Sequence, residues 1–284
     1  MSLKNYFKKA QKEHFALIQF NFCTLEQLKA LLEAAKEMKS PLILGTSEGE
    51  SGYLGLEETV ALVEISKAKH NLKIFLNFDH GKDVKKIKKA IDLGYSCVHF
   101  DGSGLSLEEN AQITKKLADY AHKKGVLIEG ELGAIKGESV IHFKKPDIIK
   151  EKYLTSSDQA DWFVKKTGVD SLAVSVGNLH GIYKNPIRIN LQRLREIKEK
   201  TDVFLVLHGA SGTSLLDIKK AIKIGVVKIN INTEIRKIWR EGLVSLLKKK
   251  KNEIKPYKIL PFVSDLIKKK AEEKIKISGS KGKV

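Results

Sequence analysis

Short apolar runs alternate with amphipathic stretches along the whole chain. The apolar runs are nearly continuous, which is typical of β-strands that are covered on both faces. Between them leucines and alanines recur every three or four residues, as in LEQLKALLEAAKEMK, and this spacing predicts helices with one buried face. The pattern predicts eight strands, over residues 16–21, 41–47, 73–79, 97–103, 126–133, 171–178, 203–209 and 227–233.

Eight strands in βα alternation indicate the α/β class and a (β/α)8 TIM barrel, with an open doubly wound sheet as the alternative. The 284 residues contain no Gly/Ser linker. Because barrels of this size routinely form one unit, we expect residues 1–284 to be a single domain. Two helix starts carry a capping-box pattern, Thr24 with Gln27 and Ser106 with Glu109.

The composition restricts the compartment and the class of protein. No run of 18 apolar residues occurs and the first residues have no signal-peptide core, so we expect no membrane segment. The two cysteines, Cys23 and Cys97, form no disulfide framework, which favours a reducing cytoplasm.

The formal charge of +18 raises the question of nucleic-acid binding. Only five of the 52 basic residues are arginines, although arginine is the usual residue for reading bases and gripping phosphates. Lysines instead alternate with core positions, as in VKKIKKAIDLG, which is typical of solvated helix faces. We therefore expect no specific nucleic-acid partner; a gel shift that persists in high salt would favour one.

Histidines follow three of the predicted strands. His80, His180 and His208 end the third, sixth and seventh strands, where a barrel collects its catalytic groups. Three imidazoles that leave one position open are a familiar catalytic zinc site. Glu131 could add an oxygen ligand or orient a histidine. The other histidines lack this placement and are interpreted as surface or packing residues: His14, His70, His99, His122 and His142.

Further polar residues at strand ends predict the rest of the site. Asp79 directly precedes His80 and is either an acid/base beside the metal or a carboxylate that orients another side chain. Asn21 and Ser47 end the first two strands and are candidate pocket residues.

Two glycine-containing loops predict a phosphate site. In HGIYK and HGASG, Gly181 and Gly209 let backbone N–H groups approach an anion closely. Lys184 adds charge, and Ser211 and Thr233 can donate hydroxyl hydrogen bonds. A phosphate site after strands seven and eight recurs among barrels.

Taken in order, FDHG, FDGS, EGELG, GNLHGIYK, LHGASG and KININT make the chain resemble the class II fructose-bisphosphate aldolase family, including its tagatose-bisphosphate branch. The resemblance implies a zinc-dependent barrel that reversibly cleaves a ketose bisphosphate, fructose 1,6-bisphosphate or tagatose 1,6-bisphosphate. The products would be dihydroxyacetone phosphate and an aldehyde such as glyceraldehyde 3-phosphate. It also implies a homodimer or homotetramer.

The same resemblance assigns roles to individual residues. It implies that His80, His180 and His208 bind zinc, that Glu131 lies near the metal, and that Asp79 serves the oxygen at the bond being cleaved. Because zinc polarises the ketone, no Schiff-base lysine is required. A triose phosphate and a monovalent cation, Na⁺ or K⁺, are implied beside Gly181, Lys184, Gly209, Ser211, Asn230, Asn232 and Thr233.

Two departures from the family pattern leave alternatives open. Ser139 stands where the family has an acidic base, and Glu138 precedes it; either Glu138 swings in on Gly133 and Gly137, or Ser139 replaces the base. Tyr257 stands where an arginine for the distal phosphate is expected. The alternatives are a changed aldehyde partner, another metal-assisted enolate reaction, or a barrel that binds sugar phosphates without catalysis.

Overall fold

A computed structural model describes residues 1–70, 72–146 and 149–284. Eight parallel strands close into a barrel in chain order, and the last strand pairs with the first. The predicted (β/α)8 barrel is therefore confirmed, and the open sheet is wrong. The strands are β1 (Leu17–Asn21), β2 (Leu42–Ser47), β3 (Ile74–Gly81), β4 (Cys97–Phe100), β5 (Leu127–Leu132), β6 (Ser171–Val174), β7 (Phe204–Leu207) and β8 (Val226–Ile231).

Helices surround the barrel and connect its strands. They are α1 (Leu3–Glu13), α2 (Leu25–Met38), α3 (Glu48–Leu54), α4 (Leu56–His70), α5 (Val84–Asp92), α6 (Leu107–His122), α7 (Ser157–Thr167), α8 (Leu191–Lys200), α9 (Leu215–Ile224), α10 (Thr233–Lys249) and α11 (Pro256–Ser278). No helix among the described residues is long and apolar enough to cross a membrane.

The first helix closes the amino-terminal end of the barrel. Tyr6 and Phe7 of α1 are buried against aromatic residues at the starts of β3 and β7. The ring of Tyr6 meets Phe75 edge-on at 5.6 Å between centroids, and Phe7 meets Phe204 at 5.4 Å. Burying each such side chain contributes about 1.5–3 kcal/mol. Since this plug fills one end, access to the barrel interior is left at the carboxyl ends of the strands.

The local sequence signals are only partly borne out. Ser106 and Glu109 form the predicted capping box at the start of α6. At α2 the Thr24 hydroxyl makes no capping bond, and Gln27 instead accepts from the backbone N–H of Cys23. The predicted strands 97–103 and 171–178 are too long, because β4 ends at Phe100 and β6 at Val174. The residues after them form the loops of the site.

Candidate active site

Three imidazoles meet at the carboxyl end of the barrel. His80 is the penultimate residue of β3, His208 directly follows β7, and His180 lies in the loop after β6. The ring centroid of His80 is 4.9 Å from that of His180 and 4.7 Å from that of His208. Nε2 of His80 lies 3.0 Å from Nδ1 of His208. The structure thus brings together the three histidines selected from separate strand ends.

The backbone of His80 turns sharply to make this possible. Its φ of 49° lies in the left-handed region, and the pairing of β3 with β4 shifts register between Phe78 and Gly81. A regular strand would send Asp79 and His80 to opposite faces. A left-handed residue other than glycine costs roughly 1–2 kcal/mol, and here it lets both side chains reach one cavity.

Carboxylates and a fourth histidine surround His80. Its Nδ1 lies 3.5 Å from Oδ2 of Asp101 and 3.8 Å from Oε2 of Glu131. His99, fully buried in β4, places Nε2 3.2 Å from the same Glu131 oxygen and Nδ1 3.8 Å from Oδ1 of Asp79. His99 was interpreted as a surface or packing residue; its contacts with Glu131 and Asp79 instead place it within this cluster.

The donor set fits a zinc ion. Within the described residues two groups of side chains offer atoms close enough to share one ion, Asp79 with His80, His99 and His208, and His80 with Asp101 and Glu131. Imidazole nitrogen and carboxylate oxygen are ordinary zinc ligands. Oε2 of Glu131 is buried and makes no well-formed hydrogen bond within the described residues, and it lies between Nε2 of His99 at 3.2 Å and Nδ1 of His80 at 3.8 Å.

Protonation further distinguishes the histidines. Burial and the charges of His80 and His208 lower the pKa of His180 to about 3, so His180 stays neutral, the form that binds a metal. Burial alone would lower the pKa of His80, but Asp79 and Asp101 outweigh it and raise that pKa. A metal at His80 would therefore have to displace a proton.

Asp79 is a buried carboxylate held on both oxygens. Asn21 donates to Oδ2 at 2.9 Å, and Asn230 donates to Oδ1 at 3.0 Å. Burial alone would raise the pKa of Asp79, but the charge of His80 and the neighbouring ring of His99 outweigh it and hold that pKa well below its usual value. Asp79 is therefore ionised and able to accept a proton.

A cavity of ≈ 30 Å³ is lined both by predicted metal ligands and by predicted phosphate-binding residues. Its lining contains most of the site predicted from the sequence: Asp79, His80, His180, His208, Gly209, Ser211, Asn230, Asn232 and Thr233, together with Ser139. The predicted residues outside this lining are Asn21, Ser47, Glu131, Glu138, Gly181 and Lys184. Of these, Asn21 and Glu131 contact the lining residues Asp79 and His80, whereas Lys184 is exposed.

A loop after β5 covers this cavity. Hydrogen bonds tie it to the loop that carries His180: the N–H of His180 donates to the carbonyl of Lys136 at 2.8 Å, and that of Ile182 to Val140 at 3.0 Å. Glu138 is exposed on this loop while Ser139 lines the cavity. For Glu138 to reach the site, the bonds between these two loops would have to rearrange.

Two ion pairs near the site were not predicted from the sequence, one fully buried and one with a partly exposed arginine. Lys228 pairs with Glu129 at 2.6 Å inside the barrel, and Arg236 pairs with Glu50 at 2.6 Å above β1. Glu50 also accepts from Asn21 and from the N–H of Ser47, which connects both candidate pocket residues to Asp79. A signal for Glu129 was present: it precedes Glu131 by two residues in EGELG and so shares its strand face.

Tyr257 lies outside the cavity. It stands in the first turn of α11, is 71% exposed, and borders a groove with Leu25 and Pro256. The Tyr257 side chain is not among the described residues that line the cavity.

Comparison with known proteins identifies the family. The family model described as "Fructose-bisphosphate aldolase class-II" matches residues 1–283. A fructose-bisphosphate aldolase of Geobacillus stearothermophilus is 36% identical over 287 residues, covering 100% of this chain and 98% of that protein. A sulfofructosephosphate aldolase of Alkalicoccus urumqiensis is also 36% identical, over 286 residues, with 100% and 98% covered. The crystal structure of the YdjI aldolase from Escherichia coli K12 superimposes with a TM-score of 0.85 at 32% identity, covering 99% of this chain and 98% of that one. The chain therefore belongs to the class II fructose-bisphosphate aldolase family and is an aldolase, a carbon–carbon lyase.

Proposed function

We propose that this aldolase uses zinc to cleave a ketose bisphosphate reversibly, fructose 1,6-bisphosphate or tagatose 1,6-bisphosphate. The products are dihydroxyacetone phosphate and an aldehyde such as glyceraldehyde 3-phosphate. One observation carries the proposal: ionised Asp79, three imidazoles and the phosphate-type residues Gly209 and Ser211 line a single cavity. The names of the Geobacillus and Alkalicoccus relatives support a phosphorylated ketose as the substrate class.

His80, His180 and His208 would hold the zinc, with Glu131 close by. The zinc supplies a Lewis acid for the ketone oxygen of the substrate. The buried setting contributes as well, because charges act more strongly on one another away from water. Asp101 and His99 surround the same ring of His80 and restrict its orientation.

Asp79 moves the proton on the oxygen side of the bond. In cleavage it takes the proton of the hydroxyl whose carbon becomes the aldehyde, and the electron pair of the breaking bond stays with the ketone-bearing fragment. Asn21 and Asn230 hold the carboxylate in place for this transfer. The ketone-bearing fragment then takes up a proton at the carbon of the broken bond. We assign the donation of this proton to Glu138, after movement of its loop.

The triose phosphate occupies the side of the cavity formed by β7 and β8. Gly209 has a φ of 67°, and Ser211 and Thr233 line the cavity close to the start of α10. A helix start with free N–H groups attracts phosphate. Gly181 and Lys184 lie in the neighbouring loop outside the cavity lining, and we assign them to the same phosphate.

A monovalent cation, Na⁺ or K⁺, accompanies the phosphate. The side-chain oxygens of Asn230 and Asn232 are buried and have no hydrogen-bond partner in the described part of the chain. Amide oxygens are suitable ligands for a hard cation. A cation there would satisfy both oxygens and offset phosphate charge.

A changed aldehyde partner is the second candidate. Tyr257 stands where the resemblance predicts an arginine, and this side chain lies away from the cavity. The sulfofructosephosphate aldolase name shows that a relative of equal similarity has a different ketose substrate.

We further propose that residues 1–284 form one domain, that the protein works in the cytoplasm, and that it assembles as a homodimer or homotetramer.

The proposed function is tested by an activity panel with metal analysis. Ketose mono- and bisphosphates are assayed for dihydroxyacetone phosphate release, with and without zinc, alongside the zinc content of the purified protein. We expect about one zinc per chain, and loss of both zinc and activity in His80→Ala and His208→Ala. His70→Ala, at the end of α4, is the control and should match the parent. Full activity after exhaustive chelation would contradict zinc dependence, and phosphate-ester binding without cleavage would favour a binding protein.

A further inference from the structure

A lysine–glutamate pair crosses the interior of the barrel beneath the histidines. Lys228 lies on β8 and is 1% exposed, and Glu129 lies on β5 with no exposed surface. The two strands are not neighbours, since β6 and β7 lie between them in the barrel. Nζ of Lys228 nevertheless donates to Oε2 of Glu129 at 2.6 Å. The proposed cleavage uses neither residue.

The second oxygen of Glu129 reaches a metal-site histidine. Oε1 lies 2.7 Å from Nε2 of His208, which is also fully buried. A carboxylate paired with an ammonium can only accept, so Nε2 of His208 carries the hydrogen. Nδ1 of the same ring then carries the lone pair, and it lies at hydrogen-bond distance, 3.0 Å, from Nε2 of His80.

Neighbouring groups contact Glu129 and His208 less closely than the two contacts described above. Nδ2 of Asn230 lies 3.2 Å from Nε2 and 3.4 Å from Nδ1 of His208, farther than Oε1 of Glu129. The Ser171 hydroxyl approaches Oε2 only at 3.5 Å, and Nδ1 of His99 is 4.0 Å from Oε1 and already accepts the N–H of His80. Lys228 therefore fixes one oxygen of the carboxylate and leaves the other to His208. Stability does not explain the pair, because an apolar pair of similar volume would fill the interior at least as favourably.

We propose that Lys228 and Glu129 are positioning residues for metal binding. Lys228 holds Glu129, and Glu129 holds the imidazole of His208 with Nδ1 towards the metal. This inference rests on the proposed zinc site and adds two residues that do not touch the metal or the substrate. Partners of this kind, which hold a ligand from behind, typically contribute about 10–100-fold to metal affinity.

The test measures zinc affinity directly, by competition with a chromophoric chelator, on the full chain. Lys228→Met removes the ammonium with little change in length. Lys274→Met is the matched control, because Lys274 is also a buried lysine that pairs with a glutamate, Glu234, but on the outer helices α10 and α11. We expect about 10–100-fold weaker zinc binding for Lys228→Met and parent affinity for Lys274→Met.

A second variant removes the risk of an unpaired buried charge. Lys228→Met combined with Glu129→Gln is neutral at both positions and keeps the side-chain volumes. We expect it to fold, as checked by circular dichroism, and to bind zinc at least tenfold more weakly than the parent. The visible spectrum of the cobalt-substituted protein should also change in this variant, since the orientation of one ligand is no longer fixed.

The outcomes separate the two proposals. A folded double variant with parent zinc affinity and an unchanged cobalt spectrum overturns the positioning role. A parent that binds zinc but cleaves no ketose phosphate overturns the proposed function and leaves the positioning role supported by the affinities. A parent that binds neither zinc nor cobalt overturns both. Equal losses in Lys228→Met and Lys274→Met would show a general effect of breaking buried pairs and would also overturn the positioning role.

Discussion

Replacing Asp79 by asparagine removes the carboxylate that accepts a proton but keeps the shape of the side chain. Neither oxygen of Asp79 is free, since Asn21 and Asn230 each donate to one of them. An asparagine side chain must therefore turn its NH₂ group towards one of these two donors. Asn21 cannot adapt, because its NH₂ also donates to Glu50 and its oxygen accepts from Gln19.

Asn230 can adapt to the new amide. Its Oδ1 has no hydrogen-bond partner within the described residues, so rotation of the Asn230 amide would present an acceptor to the NH₂ group and turn this oxygen away from the proposed monovalent cation. One ordinary hydrogen bond is then exchanged for another, and we expect Asp79→Asn to lower the free energy of unfolding by only about 1 kcal/mol. The variant should fold and retain its zinc.

Turnover should fall much further than stability. Removing a general acid/base costs about 10²–10⁴ in rate, which corresponds to about 3–5 kcal/mol in the activation free energy. The assay is release of dihydroxyacetone phosphate by the zinc-saturated enzyme, followed by coupled NADH oxidation. Asp101→Asn is the comparison variant, because Asp101 contacts His80 but not the asparagine pair. We expect it to weaken zinc binding more than it slows the zinc-saturated enzyme.

Two results would refute this reasoning about Asp79. A turnover near that of the parent would mean that Asp79 only orients its neighbours. Loss of zinc in parallel with activity would make Asp79 a metal ligand, which the geometry permits because its carboxylate lies within the same group of atoms as His80 and His208.

Three further changes test the cover loop, the distal phosphate and the turn after His208. Glu138→Gln should abolish solvent-deuterium exchange into dihydroxyacetone phosphate at unchanged zinc content, whereas Ser139→Ala should exchange normally; the reverse pattern would make Ser139 the essential residue. Because position 257 lies outside the cavity, Tyr257→Arg should leave the kcat/KM preference for fructose 1,6-bisphosphate over fructose 1-phosphate unchanged; a roughly ten- to a hundredfold rise, which one charge-assisted hydrogen bond of about 1.5–3 kcal/mol would give, would contradict this placement. A Cβ on Gly209 would lie 2.4 Å from the carbonyl oxygen of Leu179, so Gly209→Ala should weaken zinc binding and lower the free energy of unfolding by about 2–5 kcal/mol. Gly168 has a similar φ of 70°, and a Cβ there would have no atom within 4 Å. Gly168→Ala should therefore lower the free energy of unfolding, measured by chemical denaturation, by only about 1–2 kcal/mol. Equal losses of stability in Gly168→Ala and Gly209→Ala would contradict the clash at Gly209.

The barrel could be predicted because its signal is repeated. Each strand is a short run of apolar residues covered on both faces, and eight such runs alternate with helices. An error of a few residues at one strand end, as at 101–103, leaves this alternation intact. The same logic located His80, His180 and His208, since the ends of parallel strands meet wherever the barrel closes.

The interior contacts of the site could not be predicted in this way. His99 lies in the middle of β4 and looks like any buried histidine until the structure places it against Asp79 and Glu131. Lys228 is one of many lysines, and its partner is 99 positions away along the chain. Strand periodicity gives the face of a residue but not which distant side chain it meets. The choice between Glu138 and Ser139 could not be made from the sequence for another reason. The conformation of their loop depends on its contacts with a second loop.

The distribution of polarity inside the barrel follows from the position of the site. Glu129 and Lys228 lie between the histidines and the aromatic plug of α1, so the layer directly beneath the histidines is ionic. A buried ion pair contributes little net stability, whereas the aromatic contacts of Tyr6 and Phe7 at the opposite end remove large apolar surfaces from water. The amino-terminal end therefore supplies stability that the carboxyl end cannot. Because the barrel is closed at one end by apolar packing, its other end can carry charge, with Asp79 and His80 held by β3 and His180 held by the loop after β6.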